Sequence, residues 1–215
     1  MRVALFDMDR TLVRRDTATL WMRFRRDRGE ASLRDMGRVA WWLFQYTLGV
    51  VDAPAVARKA LADYRGTPEA RMAELCRDWF TDYVLEHVAE EGRRAVARHR
   101  EAGDGLAIVT GATRYAAEPL ATELGIDKVA FTGLEVDAEG LFTGRVSGPM
   151  CYGADKITHV RKLFGPDLDL REAVFYSDSI TDLPLLEAVG EPVVVNPDAR
   201  LRRLALRRGW RVEQW

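Results

Sequence analysis

Two aspartates one residue apart, Asp7 and Asp9, close the apolar run Val3-Ala4-Leu5-Phe6 and lead into Thr11-Leu12. The run reads as a buried strand. Alternate side chains of a strand share a face, which would put both carboxylates on one side. Like charges that close repel unless a cation lies between them, so the pair is the beginning of a divalent-metal site. Three more polar clusters follow apolar runs or open a helix: Thr110-Gly111 after Gly105–Val109, Lys156 early in a helical pattern, and Ser177-Asp178-Ser179 after Ala173–Tyr176. The hydroxyl of Thr110 and the amides near Gly111 suit an anion, Lys156 offers a point charge, and the acids suit Mg²⁺, which keeps waters and phosphate among its ligands. Hydrolysis of a phosphate monoester needs a positioned nucleophile, neutralised charge and a proton for the leaving oxygen. Asp can supply the nucleophile through an aspartyl-phosphate.

The elements that must position these groups come in two kinds. From about Asp16 to Ala89 nearly everything reads as helix. Ala31–Leu48 carries an aromatic stripe with Trp41, Trp42, Phe44 and Tyr46; Pro54 or Pro68 would open new helices; and Ala70–Val88 has apolar residues at helical spacing. From Glu91 onward, helices at 91–101, 116–124, 154–164, 183–189 and 199–208 alternate with strands at 105–109, 128–132, 173–176 and 192–195, and Asp137-Ala138-Glu139-Gly140 marks a hairpin within Leu134–Val146. This alternation predicts an α/β fold with a mostly parallel sheet covered by helices on both faces. In such a sheet ligands bind beyond the carboxyl ends of the strands, where Asp7 and Asp9, Thr110-Gly111 and Ser177-Asp178-Ser179 all fall.

The 215 residues suffice for one substantial domain, or a core with a smaller second one. A net charge of −1 gives no general attraction to nucleic acid, and the arginine clusters at 23–28 and 200–208 read as solvated helix faces. Cys76 and Cys151 make neither a disulfide framework nor a metal motif, and His87, His99 and His159 have no metal-ligand spacing. The apolar stretch 39–51 is too short to span a bilayer. Met1-Arg2 leads straight into the strand without a signal-peptide pattern, so a cytoplasmic location is expected. The Trp41-Trp42 face fits packing within this helical stretch, an apolar substrate pocket or a dimer contact, leaving monomer and homodimer both open.

Asp7-Met8-Asp9-Arg10-Thr11-Leu12 resembles the first motif of the haloacid dehalogenase superfamily, DxDGT. Ile108-Val109-Thr110-Gly111 resembles its second motif and Lys156 its third; the stretch Tyr176–Pro184, with Asp178 and Asp182, resembles its fourth, GDxxxDLP. The helical insert after the first motif is similar to the cap of the branch that contains phosphoserine phosphatase, subfamily IB. The resemblance implies a Rossmann-like three-layer core formed by residues 1–14 and 90–215, with an all-helical cap at 15–89. It also implies roles. Asp7 is the nucleophile and Asp9 the general acid and then base. Thr110 and the Gly111 amide hold phosphate oxygens, and Lys156 neutralises charge. Asp7, Asp178 and the Asp9 carbonyl hold Mg²⁺, and Asp182 supports the metal or Lys156.

Departures bear on the substrate. Arg10 replaces the usual Gly of the first motif; it either faces the cap and adds positive charge over the pocket or covers the surface. Thr181 stands where phosphoserine phosphatases carry an Asn that helps hold substrate. Asp16 lies at the core-to-cap junction, where phosphoserine phosphatase has an acidic residue that recognises the substrate amine; alternatively, Asp16 simply caps the helix that follows. The expected activity is therefore Mg²⁺-dependent hydrolysis of a small phosphorylated metabolite, with amine-bearing esters such as phosphoserine or histidinol phosphate as candidates. The alternatives are a phosphotransferase or mutase using the same aspartyl-phosphate, and a non-catalytic binding protein on the same fold.

Overall fold

The computed structural model describes residues 2–30, 37, 58 and 61–215. Its centre is a seven-stranded sheet in the order β4-β3-β2-β1-β5-β6-β7. The strands are β1 (Val3–Phe6), β2 (Gly105–Thr113), β3 (Lys128–Val136), β4 (Phe142–Ser147), β5 (Val174–Ser177), β6 (Glu191–Val195) and β7 (Arg211–Glu213). Neighbours pair in parallel except β3 with β4, the two arms of the Asp137–Gly140 hairpin. The α/β, mostly parallel fold expected from strand–helix alternation is the one observed.

β1 lies in the middle, paired with β2 through Phe6↔Ile108 and with β5 through Phe6↔Tyr176. Its four residues are fully buried because both sheet faces are covered. Ala4 and Phe6 join one apolar cluster with Ile108, Tyr176 and Val195. Val3 and Leu5 join the opposite one with Val109, Phe175 and Val194, as the two-residue strand period dictates.

Between β1 and the helix Glu90–Glu101, every regular element among the described residues is helical: Thr17–Asp27, Glu69–Trp79, a π-helical turn Phe80–Val84 and a 3₁₀ turn Leu85–His87. The single helix expected over 70–88 instead widens at Phe80 and tightens at Leu85, with the Leu85 N–H reaching back to Phe80 O. This change of pitch brings Trp79, Phe80 and Val84 all into the core. Leu20, Phe24, Met72 and Cys76 complete an apolar seam continuous with the Phe6 face of the sheet. The aromatic stripe with Trp41-Trp42 and the helix start at Pro54 lie outside the described residues.

The β3–β4 hairpin holds the start of helix Glu69–Trp79. Gly66 N–H donates to Phe142 O (2.8 Å), Phe142 N–H to Thr67 O (3.0 Å) and Glu69 N–H to Gly140 O (2.9 Å). The Glu69 carboxylate then accepts from Tyr115 Oη at 2.7 Å and from the Arg114 guanidinium. The sheet also departs from the sequence reading. β2 continues past Val109 to Thr113, with an irregularity that lets Thr113 pair with Thr132, and β7 adds an edge strand that composition did not signal.

Candidate active site

Because β1 is flanked by β2 and β5, the chain segments that leave their carboxyl ends converge. Asp7 extends the ladder one step beyond β1, its N–H donating to Tyr176 O at 2.9 Å. Lys156 enters from the first turn of helix Asp155–Phe164. Its Nζ donates to Asp7 Oδ1 at 2.8 Å and to Asp182 Oδ2 at 2.7 Å, with all three side chains buried. Ser177 Oγ donates to the same Asp182 oxygen at 2.7 Å and accepts from Ser179 N–H at 3.1 Å. Asp7, Lys156, Asp182 and Ser177 therefore form one buried chain across three segments distant in sequence. Ser177 is the member that motif reading left without a role.

Burial disfavours the Lys156 ammonium, but the Asp182 and Asp7 carboxylates outweigh it and hold the amine protonated beyond its ordinary range. Burial pushes Asp7 up to about 6; Lys156 opposes the rise and Asp182 adds to it. Asp9 is pushed up to about 7, first by burial and then by the negative charge of Asp16. The Thr17 N–H, donating to Asp9 Oδ1 at 2.6 Å, opposes that rise. Both carboxyls are thus raised, Asp7 against the pull of the Lys156 ammonium and Asp9 with the added push of Asp16.

Asp178 is pushed well above the usual carboxylate range by burial and by Asp7, against the opposing charge of Arg10. Arg10 Nε stands 3.4 Å from Asp178 Oδ2. Arg10 adopts a left-handed backbone, φ 56°, a conformation that costs a non-glycine residue roughly 1–2 kcal/mol. Two hydrogen bonds hold it there: its N–H to Arg15 O (3.4 Å) and Asn196 Nδ2 to its carbonyl (3.0 Å).

Thr110 is buried, and its Oγ1 accepts from Ala112 N–H at 3.1 Å, which leaves the hydroxyl proton to donate. Gly111, by contrast, is exposed. Thr181 is half-buried and its Oγ1 lies 2.8 Å from Ser179 Oγ. Asp16 is the N-cap of helix Thr17–Asp27, its Oδ1 accepting from both Thr19 N–H (2.9 Å) and Thr19 Oγ1 (3.1 Å). It is also close enough to raise Asp9, so the capping role is observed and proximity to the site is retained.

Four carboxylates, Asp7, Asp9, Asp178 and Asp182, share this region with Lys156 and Arg10. That excess of negative oxygen fits a hard divalent cation. Among the described residues no three His, Cys, Asp or Glu side chains form a ready-made cage. Two carboxylates and a main-chain carbonyl, with water and phosphate filling the remaining positions, is the open arrangement Mg²⁺ commonly takes. Cys151, though buried beside Lys156, is an unsuitable thiolate ligand: burial pushes its thiol up to about 12. His99 is also absent from the site; it bridges Asp104 (2.7 Å) and Tyr176 Oη (2.9 Å) beneath the sheet.

The chain is similar to several known proteins. A protein named histidinol-phosphatase from Neisseria meningitidis is 29% identical, covering 98% of this chain and 97% of its own. A phosphoserine phosphatase of Mycobacterium tuberculosis is 32% identical over 99% of this chain and 70% of its own. A solved structure of a Bordetella pertussis protein of unknown function superimposes with a TM-score of 0.88 at 31% identity, covering 99% of this chain and 97% of that one. A phosphoserine phosphatase carrying a phospho-aspartyl intermediate analogue shares the fold, with a TM-score of 0.69 at 18% identity over 99% of this chain and 92% of that one. The model of the haloacid dehalogenase-like hydrolases matches residues 4–187, and the chain belongs to that family.

Proposed function

We propose that the protein is a Mg²⁺-dependent phosphatase that hydrolyses a small-metabolite phosphate monoester through an aspartyl-phosphate on Asp7. The observation that carries this reading is the division between Asp7 and Asp9. Asp7 is hydrogen-bonded to the buried Lys156 ammonium, whereas the Asp9 carboxyl accepts from the Thr17 N–H and is raised by burial and by Asp16. In the first step an Asp7 carboxylate oxygen attacks phosphorus while the ester P–O bond breaks, and Asp9 gives its proton to the leaving alkoxide. In the second, Asp9 takes a proton from water, whose oxygen attacks phosphorus; inorganic phosphate leaves and the Asp7 carboxylate is regenerated. Lys156 balances charge on Asp7 throughout, with Asp182 and Ser177 fixing its direction. Thr110 Oγ1 and the Gly111 amide would bind phosphoryl oxygens. Asp7, Asp178 and the Asp9 carbonyl would hold Mg²⁺, which when bound supplies positive charge to the transferring phosphoryl group.

Residues 15–89 are assigned as the cap that selects substrate, and 1–14 with 90–215 as the core. Histidinol phosphate and phosphoserine, the substrates implied by the names of two relatives, both place an ammonium on the carbon next to the phosphate-bearing one. An amino-alcohol phosphate is accordingly the substrate class favoured, with the second Asp16 oxygen as the amine's partner. A cytoplasmic small-molecule enzyme, monomeric or homodimeric, completes the reading. The described residues contain no helix long and apolar enough to cross a membrane.

The test is phosphate release from p-nitrophenyl phosphate with Mg²⁺. Asp7→Asn should lower kcat by at least about a thousandfold; a folded Asp7→Asn protein with substantial turnover removes Asp7 as nucleophile. A wild-type protein without turnover at any Mg²⁺ concentration favours the binding-protein alternative. Transfer to an added alcohol in preference to water favours the phosphotransferase.

A further inference from the structure

Among the described residues, Lys156 and Arg10 face carboxylates of the site, and they are held in different ways. Lys156 is buried and hydrogen-bonded to two carboxylates, so it cannot leave without stranding both. The Arg10 side chain is 51% exposed, and the Asp178 side chain it faces is 14% exposed. At 3.4 Å, with no directional hydrogen bond between them, the pair is ionic contact alone. A guanidinium so placed can swing into water at little cost.

Its main chain, by contrast, is fixed. The left-handed turn at Arg10 is held by Arg15 O and by Asn196 Nδ2. Asn196 is itself at a positive φ, 44°. It is pinned by its N–H to Glu213 O (3.0 Å) and by Trp215 N–H to its Oδ1 (2.9 Å). A fixed backbone with a free-swinging cation over Asp178 is the arrangement of an exchangeable counter-ion.

We propose that Arg10 is a resident counter-cation of Asp178 that a divalent metal must displace, so that Arg10 sets the metal affinity of the site. The inference rests on the assignment of Asp178 as a metal ligand. A single carboxylate neutralised by guanidinium attracts Mg²⁺ less strongly, and the displaced guanidinium still repels the incoming ion across a short distance. Free metal must therefore rise further before the site fills than it would with an uncharged residue at this position.

Titration calorimetry with MgCl₂ alone, on the whole chain without substrate, tests this independently of turnover. Arg10→Gly and Arg10→Asn both tolerate a left-handed backbone, which keeps the test alive if one of them misfolds by thermal melting. Both should bind Mg²⁺ about threefold or more tightly than wild type, while Arg10→Lys, which keeps the charge, should stay within about twofold. Asp178→Asn should lose binding. If the Gly and Asn variants bind equally or more weakly while Asp178→Asn abolishes binding, the counter-ion proposal is overturned and the metal site stands. If Arg10→Lys binds as tightly as Arg10→Gly, charge is not the cause and the proposal also fails. Should Asp178→Asn bind as wild type does, or no variant bind magnesium, the metal assignment itself falls and takes the inference with it.

Discussion

Asp7 and Asp9 are chemically the same residue, and their neighbours make them different. Lys156 is the larger part of that difference, being shared between Asp7 and Asp182. Lys156→Met should cost about 3 kcal/mol or more in urea denaturation, since it strands two buried carboxylates; a smaller loss would show that water or protons replace the ammonium cheaply. Asp16 calls for a subtler substitution. Asp16→Asn keeps the helix cap but removes the charge. If Asp16 reads an amine, kcat/KM for amino-alcohol phosphates should fall about tenfold or more relative to p-nitrophenyl phosphate. Equal effects on both substrates would leave Asp16 a cap only. The aspartates, Thr110 and Lys156 were legible in sequence because their residue types are costly to bury without a purpose. Ser177 and Asn196 were not: a serine or asparagine ending a strand reads as punctuation, and only the fold reveals that one braces Asp182 while the other holds the Arg10 turn.

At the scale of elements, the alternation of buried runs and amphipathic helices was readable because each strand is either fully buried or ends in a turn signal. β7 escaped because Arg211–Glu213 is a short edge strand with charged ends, and edges are kept polar to discourage pairing with other chains. The pitch change at Phe80–Val84 escaped because apolar spacing alone does not separate an α-helix from a π turn. Helix Leu183–Ala188, which carries the end of the fourth motif into the core, meets β6 through Gly190, where space is tightest. A Cβ built there would lie 1.8 Å from Arg171 O, a backbone atom. Gly190→Ala should therefore destabilise the protein by about 1–3 kcal/mol, lowering the urea midpoint with little change in slope. An unchanged midpoint would mean that the Arg171 turn yields freely.

For the molecule as a whole, the raised carboxyls tie stability to pH and to metal. Asp7 and Asp9 titrate at about 6 and about 7 in the folded chain, against roughly 3.9 when unfolded. Between those values the native state binds more protons than the unfolded one, so the stability these groups contribute is complete below the unfolded value. It is lost as pH rises through 6 to 7. With divalent metal chelated, the protein should thus melt at a higher temperature near pH ~5.5 than near pH ~8, and Mg²⁺ should recover part of the difference at the higher pH. A melting temperature that climbs with pH in chelator, or ignores magnesium, would contradict the electrostatic account. The fold class was legible at this scale because alternation fixes a parallel sheet. The strand order was not, since nothing local says that β1 belongs at the centre. That position has a consequence during synthesis. Val3–Phe6 pairs with Gly105–Ile108 and Val174–Tyr176, so on the ribosome the strand that leads into Asp7 is made before both partners and waits on the order of ten seconds or more for the second of them. The nascent chain must shelter that apolar strand, and the link from Asp7 through Lys156 to Asp182 cannot close until the segment after β5 has emerged.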